Sequence, residues 1–462
     1  MSLGVALAAM TLAGAALPEE EIAPSASVEV VRDGARWTAD FRFHRMAPVW
    51  AFARSAPARI TQKSWRAASW TIETPGVRLE RLGQYDVLVA EKGGPIPEQV
   101  RVRFEPFSGD ILTGYDAALT FTDGSVALFD QQFKAFPVES IAAAAALPID
   151  LDEVRAAGPP TRTTFRDTNG DVLNAGERRT SLTLDDAGTY VLFGPAPPIV
   201  TAGISAIVDP GLPEWLRSFL SESVPEILAS YARTLGPAAG GKPTVIVSWQ
   251  GPTAELTSMG GSVLPNLVTM TFEGEGVLAE SPAVRNQARW FVAHESAHFW
   301  LGQTVRYQYS REAWLIEGGA DLLAVRTVAA TDTAFDGGPF LQQALDDCVG
   351  LTDGRGIETA QQRGEDRTAY ACGAILSLVA ERVSGGSFSA WLRSLIEENR
   401  EDGILTRAEW LAALRRAGGS AVLEAQIVRM LGEGGTRSDW SDLLNQADVR
   451  HEADAGGELR LL

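Results

Sequence analysis

The chain has 462 residues, with 59 acidic against 40 basic side chains and a formal net charge of -19. Hydrophobic residues make up 45% and charged residues 21%, a globular balance that excludes wholesale disorder and a coiled coil. The acidic excess argues against nucleic acid and anionic lipid as partners, and no window reaches the roughly 18–20 apolar residues of a stable membrane span.

The length predicts about two to four domains. Residues 1–17 contain the uncharged run Leu3 to Leu17 with Ala13-Gly14-Ala15, which fits small-x-small cleavage and reads as a signal peptide. That reading implies a secreted or periplasmic protein. No basic residue precedes the run, so a buried first helix stays open as the other reading. Residues 25–196 form a β-rich N-terminal domain on pattern. WTADFRF, VRLERL, YDVLVA, QVRVRFEPF, AALTFT, VALFD, TSLTL and YVLFG alternate or cluster β-branched and aromatic residues between turns such as Asp33-Gly34 and Asn169-Gly170. The alanine run Ala142–Ala146 interrupts them as a helix or connector, and Pro195 to Pro198 marks a linker. Asp167, Asn169 and Asp171 resemble a calcium loop, but Val172 and Arg178 stand where glycine and glutamate are required, so a hairpin turn is expected. Trp37, Trp50, Trp65 and Trp70 read as core rather than as a binding groove.

Residues 203–400 read as a mixed domain, and 401–455 as a short helical C-terminal segment. Leu212 to Leu235 has helical spacing with Pro225 as an expected kink or break. Segments 243–249 and 262–272 read as strands, and everything beyond Ser281 as helical. The expected fold class is therefore α+β and multidomain: an antiparallel β-rich domain, then an α/β domain ending in helices.

Two of the chain's four histidines fall in His294-Glu295-Ser296-Ala297-His298, an H-E-x-x-H pattern. Ser281 followed by Pro282 opens a helix expected to run to Gly302. At 3.6 residues per turn His294 and His298 share a face, so both can ligate one metal, with Glu295 about 100° round as a general base for an activated water. A catalytic zinc site needs a third protein ligand, and Glu317 is the candidate, 18 residues beyond His298. Asp321, one turn further, is placed to orient a ligand imidazole, with a plain surface carboxylate as the alternative. His44 and His451 have no companion at ligand spacing. Cys348 and Cys372 either pair across 24 residues, for about 3 kcal/mol on the loop-entropy argument, or remain buried thiols.

His294 to His298, the 18-residue interval, and Glu317 within Trp314-Leu315-Ile316-Glu317-Gly318-Gly319-Ala320 together resemble the gluzincin metallopeptidases of the aminopeptidase N superfamily. His298-Phe299-Trp300-Leu301-Gly302-Gln303 is similar to that family's HxWFGN, and Tyr370-Ala371-Cys372-Gly373 to its YxKG. The resemblance spans roughly residues 281–383. It implies a thermolysin-like catalytic domain, one Zn2+ per chain, a peptide or protein substrate, and Tyr370 as a donor to the tetrahedral intermediate. A core tyrosine is the alternative for Tyr370. The family's GxMEN strand, whose glutamate grips the substrate's amine, corresponds here to Gly260-Gly261-Ser262-Val263-Leu264-Pro265-Asn266, without the acid. Glu255, Glu273 and Glu275 are the candidates to replace it. The missing acid leaves three expectations open: an aminopeptidase, an endopeptidase, or a zinc-retaining binding protein without turnover.

Overall fold

The computed structural model describes residues 23–462, apart from 113–114, 150, 152–157, 201–203, 242, 254–256 and 455. The proposed signal segment 1–17 lies outside the described residues, as do Glu255 and most of the connector after Ala145.

The architecture is α+β, with a β-rich N-terminal region and a helical C-terminal region. The first sheet has six strands in the order Leu182–Asp185, Thr161–Asp167, Ala26–Asp33, Arg36–Phe43, Gln99–Phe104, Trp70–Ile72. Alternation decides which face is buried. Trp37, Ala39, Phe41 and Phe43 point inward, and so do Val100, Val102 and Phe104 on the neighbouring strand. Pairing is antiparallel except between Ala26–Asp33 and Thr161–Asp167, which run parallel. Two further sheets, of four and five strands, close the β region. Its described α-helices are the short α1 (Trp65–Ser69) and α2 (Ile141–Ala145), with a 3-10 turn at Asp130–Phe133 between them. All four tryptophans expected in the core are buried there. Asn169-Gly170 makes a turn closed by a bridge between Asp167 and Gly170.

The second region is built on a five-stranded sheet ordered Ile199–Val200, Ser205–Val208, Thr244–Trp249, Leu267–Glu273, Ser258–Leu264. The segment 262–272, expected as one strand, is instead a hairpin. Pro265 cannot donate to a ladder, and Asn266 takes φ 56°, the left-handed conformation asparagine tolerates, so the chain reverses there. Helix α3 (Glu214–Leu235) runs through Pro225 without ending. Pro225 and Ser221 are exposed, so water can take the carbonyl that the proline leaves unbonded. Helix α4 (Pro282–Ala297) starts where Ser281 Oγ accepts the Val284 N–H, but ends five residues earlier than expected. Thr304 and Val305 fold back to donate to the carbonyls of Phe299 and Trp300, which terminates it. Then follow α5 (Trp314–Thr331), α6 (Gly338–Thr352), α7 (Arg367–Val383), and four shorter helices between Phe388 and Gln446. The end is not wholly helical, because His451–Ala453 and Leu459–Leu461 pair as a hairpin. Cys348 on α6 and Cys372 on α7 are disulfide-bonded, and both are fully buried. No described helix is long and apolar enough to cross a membrane.

Candidate active site

Four-residue spacing on α4 stacks His294 and His298, whose Nε2 atoms lie 3.1 Å apart. Glu317, in the first turn of α5, brings Oε2 to 3.5 Å from each of them. A tetrahedral ion with bonds of about 2.0–2.1 Å has edges of about 3.3–3.4 Å, so these separations suit one zinc. Among the described residues this is the one group of histidine, cysteine and acidic side chains arranged to hold a metal. Glu317 Oε2 is also buried with no hydrogen-bond donor. Two imidazole nitrogens facing each other beside an orphaned carboxylate oxygen fit a divalent cation, and a His2Glu set suits zinc.

The ring nitrogens turned away from the centre are held as well. His298 Nδ1 lies 2.8 Å from the Leu301 carbonyl, which can only accept, so that nitrogen carries a proton and the ring is turned with Nε2 toward the centre. His294 Nδ1 stands 2.7 Å from Asp321 Oδ1. Burial works against charge on Glu317, yet His298 and His294 outweigh it and hold the carboxyl well below the usual range.

Glu295 follows His294 on the helix and is 6% exposed. Burial pushes its carboxyl up while both histidines draw it down, and the net direction is upward. The main chain of strand Ser258–Leu264 passes directly over it. A Cβ built at Gly261 would stand 2.2 Å from the Glu295 carboxyl carbon. Tyr370, on α7, lies with its ring 5.8 Å from that of His294 and nearly parallel to it. Glu317 first, then burial, Glu295 and Asp321, push its phenol well above the ordinary value, so the hydroxyl stays protonated and able to donate. Helices α5 and α7 reach this proximity through glycine. A Cβ on Gly318 would come within 1.9 Å of the Gly373 carbonyl carbon, so the two backbones touch between Glu317 and Tyr370.

The structure thus brings together His294, His298, Glu317, Glu295, Tyr370 and Asp321. It leaves His44 beside Ser27 and His451 beside Ser441, outside this group. Glu312 accepts from the Tyr309 and Arg407 backbones and shapes the loop before α5. Of the candidate amine anchors, Glu273 ends the strand opposite Ser258 and Glu275 is exposed. Sequence reasoning missed Gly261, Gly318 and Gly373 as close-approach positions, although glycines beside motif residues were the available signal. It also missed Trp290, one turn before His294, whose ring lies 5.7 Å from that imidazole and 5.4 Å from Phe340.

No protein-family model matches the chain, and no curated protein sequence matches it. Solved structures do. An aminopeptidase N family protein from Idiomarina loihiensis superposes with a TM-score of 0.61 at 9% identity, over 94% of this chain and 80% of that one. Leukotriene A4 hydrolase from Saccharomyces cerevisiae gives 0.51 at 13% identity, over 89% of this chain and 68% of its own. At such identities the likeness is one of fold, and it extends across both the β-rich region and the helical one.

Proposed function

We propose that the chain is a zinc-dependent peptidase. His294, His298 and Glu317 are its metal ligands, and Glu295 is its general base. The observation that carries this reading is the convergence of three ligand atoms at tetrahedral spacing, with a buried carboxylate on the next residue. When bound there, zinc supplies an acidified water and a positive pole for the scissile carbonyl. Glu295 takes the proton of the attacking water and returns it to the leaving amine, a role its raised pKa suits. Tyr370 donates from its hydroxyl to the oxyanion that develops in the transition state. Asp321 and the Leu301 carbonyl fix the two imidazole rings. We further propose an oxidising compartment outside the cytoplasm, which the buried Cys348–Cys372 bond supports.

The test combines elemental analysis with a cleavage-site profile on a peptide library. The wild type is expected to hold one zinc per chain and to cleave. Glu295→Gln is expected to keep the zinc and to lose about 10²- to 10⁴-fold in rate. A zinc-loaded wild type that cleaves no peptide would overturn the reading in favour of a binding protein.

A further inference from the structure

Helix α6 gives no side chain to the metal-ligand group, yet it touches both the helix that carries the two histidines and the helix that carries Tyr370. In its first turn the Phe340 ring lies 5.4 Å from that of Trp290 on α4, and the Trp290 ring lies 5.7 Å from that of His294. Further along α6, by about 12 Å at 1.5 Å per residue, Cys348 is bonded to Cys372 of α7, and both are fully buried. Asp347 ties the two helices again, accepting from Arg367, the first residue of α7, at 2.8 Å. The far end of α6 is held too. Thr352, its last residue, accepts the Trp440 indole N–H on its hydroxyl at 3.0 Å and the Gly435 N–H on its carbonyl at 2.9 Å.

Tyr370 stands where such a hold matters. It lies just inside the start of α7, and Asp366 at the N-cap makes no side-chain capping bond. A first turn without a cap leaves backbone donors unsatisfied and opens more readily than the interior of a helix. Among the described residues no hydrogen bond holds the Tyr370 hydroxyl, so its backbone and its packing on the His294 ring set its place. Residues two apart on a helix stand about 200° round from each other and about 3 Å along the axis. Cys372 is therefore fixed to α6 while Tyr370 looks the other way, to His294. Gly373, next in the chain, meets Gly318 of α5. The cross-link secures the turn that presents the phenol without occupying the face the phenol uses.

We propose that Cys348 and Cys372 are positioning residues for Tyr370. Through their bond α6 braces the start of α7 and sets the phenol against His294, so the cross-link raises the rate of the reaction as well as holding the fold. The assignment rests on the peptidase reading above. A cross-link that served folding alone would give the same change in rate whether or not the Tyr370 hydroxyl is present. One that acts through Tyr370 loses its effect on rate when that hydroxyl is removed, which a double-mutant cycle reads directly.

The test removes the bond, as Cys348→Ala with Cys372→Ala, in the zinc-loaded wild type and in Tyr370→Phe. Two quantities are read in each: kcat and KM on a peptide, and calorimetric binding of a phosphinic dipeptide, whose tetrahedral anion mimics the intermediate. With Tyr370 present, loss of the bond is expected to lower kcat and the phosphinic affinity about 10-fold each, with KM and zinc content little changed. In Tyr370→Phe the same loss should shrink to less than about twofold. Equal losses in the two backgrounds, no loss in either, or loss of zinc overturns the proposal, whatever happens to Tm. Should the cysteine variant fail to fold, Asp347→Lys, which repels Arg367 from a partly exposed site, is taken through the same cycle. Its loss is expected to be about 2- to 5-fold and confined to the Tyr370 background, and the same outcomes overturn the proposal. The two readings fail separately. A wild type that cleaves, with losses indifferent to Tyr370, sinks only the brace. A wild type that holds zinc and cleaves nothing, yet loses phosphinic affinity with the bond only when Tyr370 is present, sinks only the peptidase reading. Neither cleavage nor phosphinic binding sinks both.

Discussion

At Gly261 the main chain leaves no room for a side chain, because the space where Cβ would stand is filled by the carboxylate of Glu295. The backbone there is extended and within a strand, so glycine is present for space and not for its conformational range. The close approach roofs the carboxylate of Glu295, the proposed general base, and limits where it can move. Gly261→Ala should therefore displace the Glu295 carboxyl, the flexible partner in the clash, and leave the three ligands in place. The expected result is a fall in kcat of about 10-fold or more, since a misplacement on the order of an ångström at a catalytic group costs up to 10²-fold. Zinc content and Tm should change little. Steady-state kinetics with elemental analysis checks this, and a variant that loses its zinc instead would show that the strand supports the ligands and not the base. The same substitution at Gly260, where nothing stands within 4 Å, is the control.

The helices α5 and α7 show how an element carries chemistry through contact alone. Glu317 and Tyr370 face one centre only because Gly318 and Gly373 let the backbones meet, and Cys372, bonded to Cys348 of α6, fixes the third helix to the same crossing. A methyl group at Gly373 would meet the Trp314 carbonyl oxygen at 2.2 Å, a backbone atom with no rotamer to escape into. Gly373→Ala is expected to force the helices apart, to cost about 1–3 kcal/mol of stability, and to weaken zinc retention because Glu317 moves with α5. Thermal unfolding with and without a chelator reads both effects, and an unchanged Tm would mean that the crossing is loose. Much of this site was legible beforehand, since a metal motif is local. The spacing of His294, His298 and Glu317 fixes which faces of two helices can converge, and the glutamate and tyrosine follow from the same short segments. The strands of the first region were legible in the same way, from alternation. What stayed hidden depends on contacts between distant segments. The stop of α4 is set by Thr304 and Val305 folding back, and the reversal at Pro265-Asn266 divides what reads as one apolar run.

On the scale of the molecule, the β-rich region must be seated firmly on the region that carries the metal-ligand group. Asp209, at the end of strand Ser205–Val208, holds that junction and is fully buried. Its carboxylate accepts from the Thr122 N–H at 3.1 Å, from the Thr122 hydroxyl, from the Gly211 N–H at 2.8 Å and from the Trp249 N–H at 3.2 Å. Thr122 sits just beyond strand Ala118–Thr120, so one acid joins the β-rich region to the sheet that carries Gly261. Asp209→Ala would strand several buried donors, each worth about 1–3 kcal/mol when left without a partner. At about 2.1 cal/mol/K of unfolding entropy per residue, Tm of a chain this long should fall by about 1 °C for every kcal/mol lost. If the junction also sets how the β-rich region meets the metal-ligand group, cleavage of a peptide library should slow in this variant, although Asp209 is not one of that group. Asp209→Asn, which keeps an accepting oxygen, should recover part of both quantities together. A variant that loses stability yet keeps the full rate would show that the junction serves folding alone.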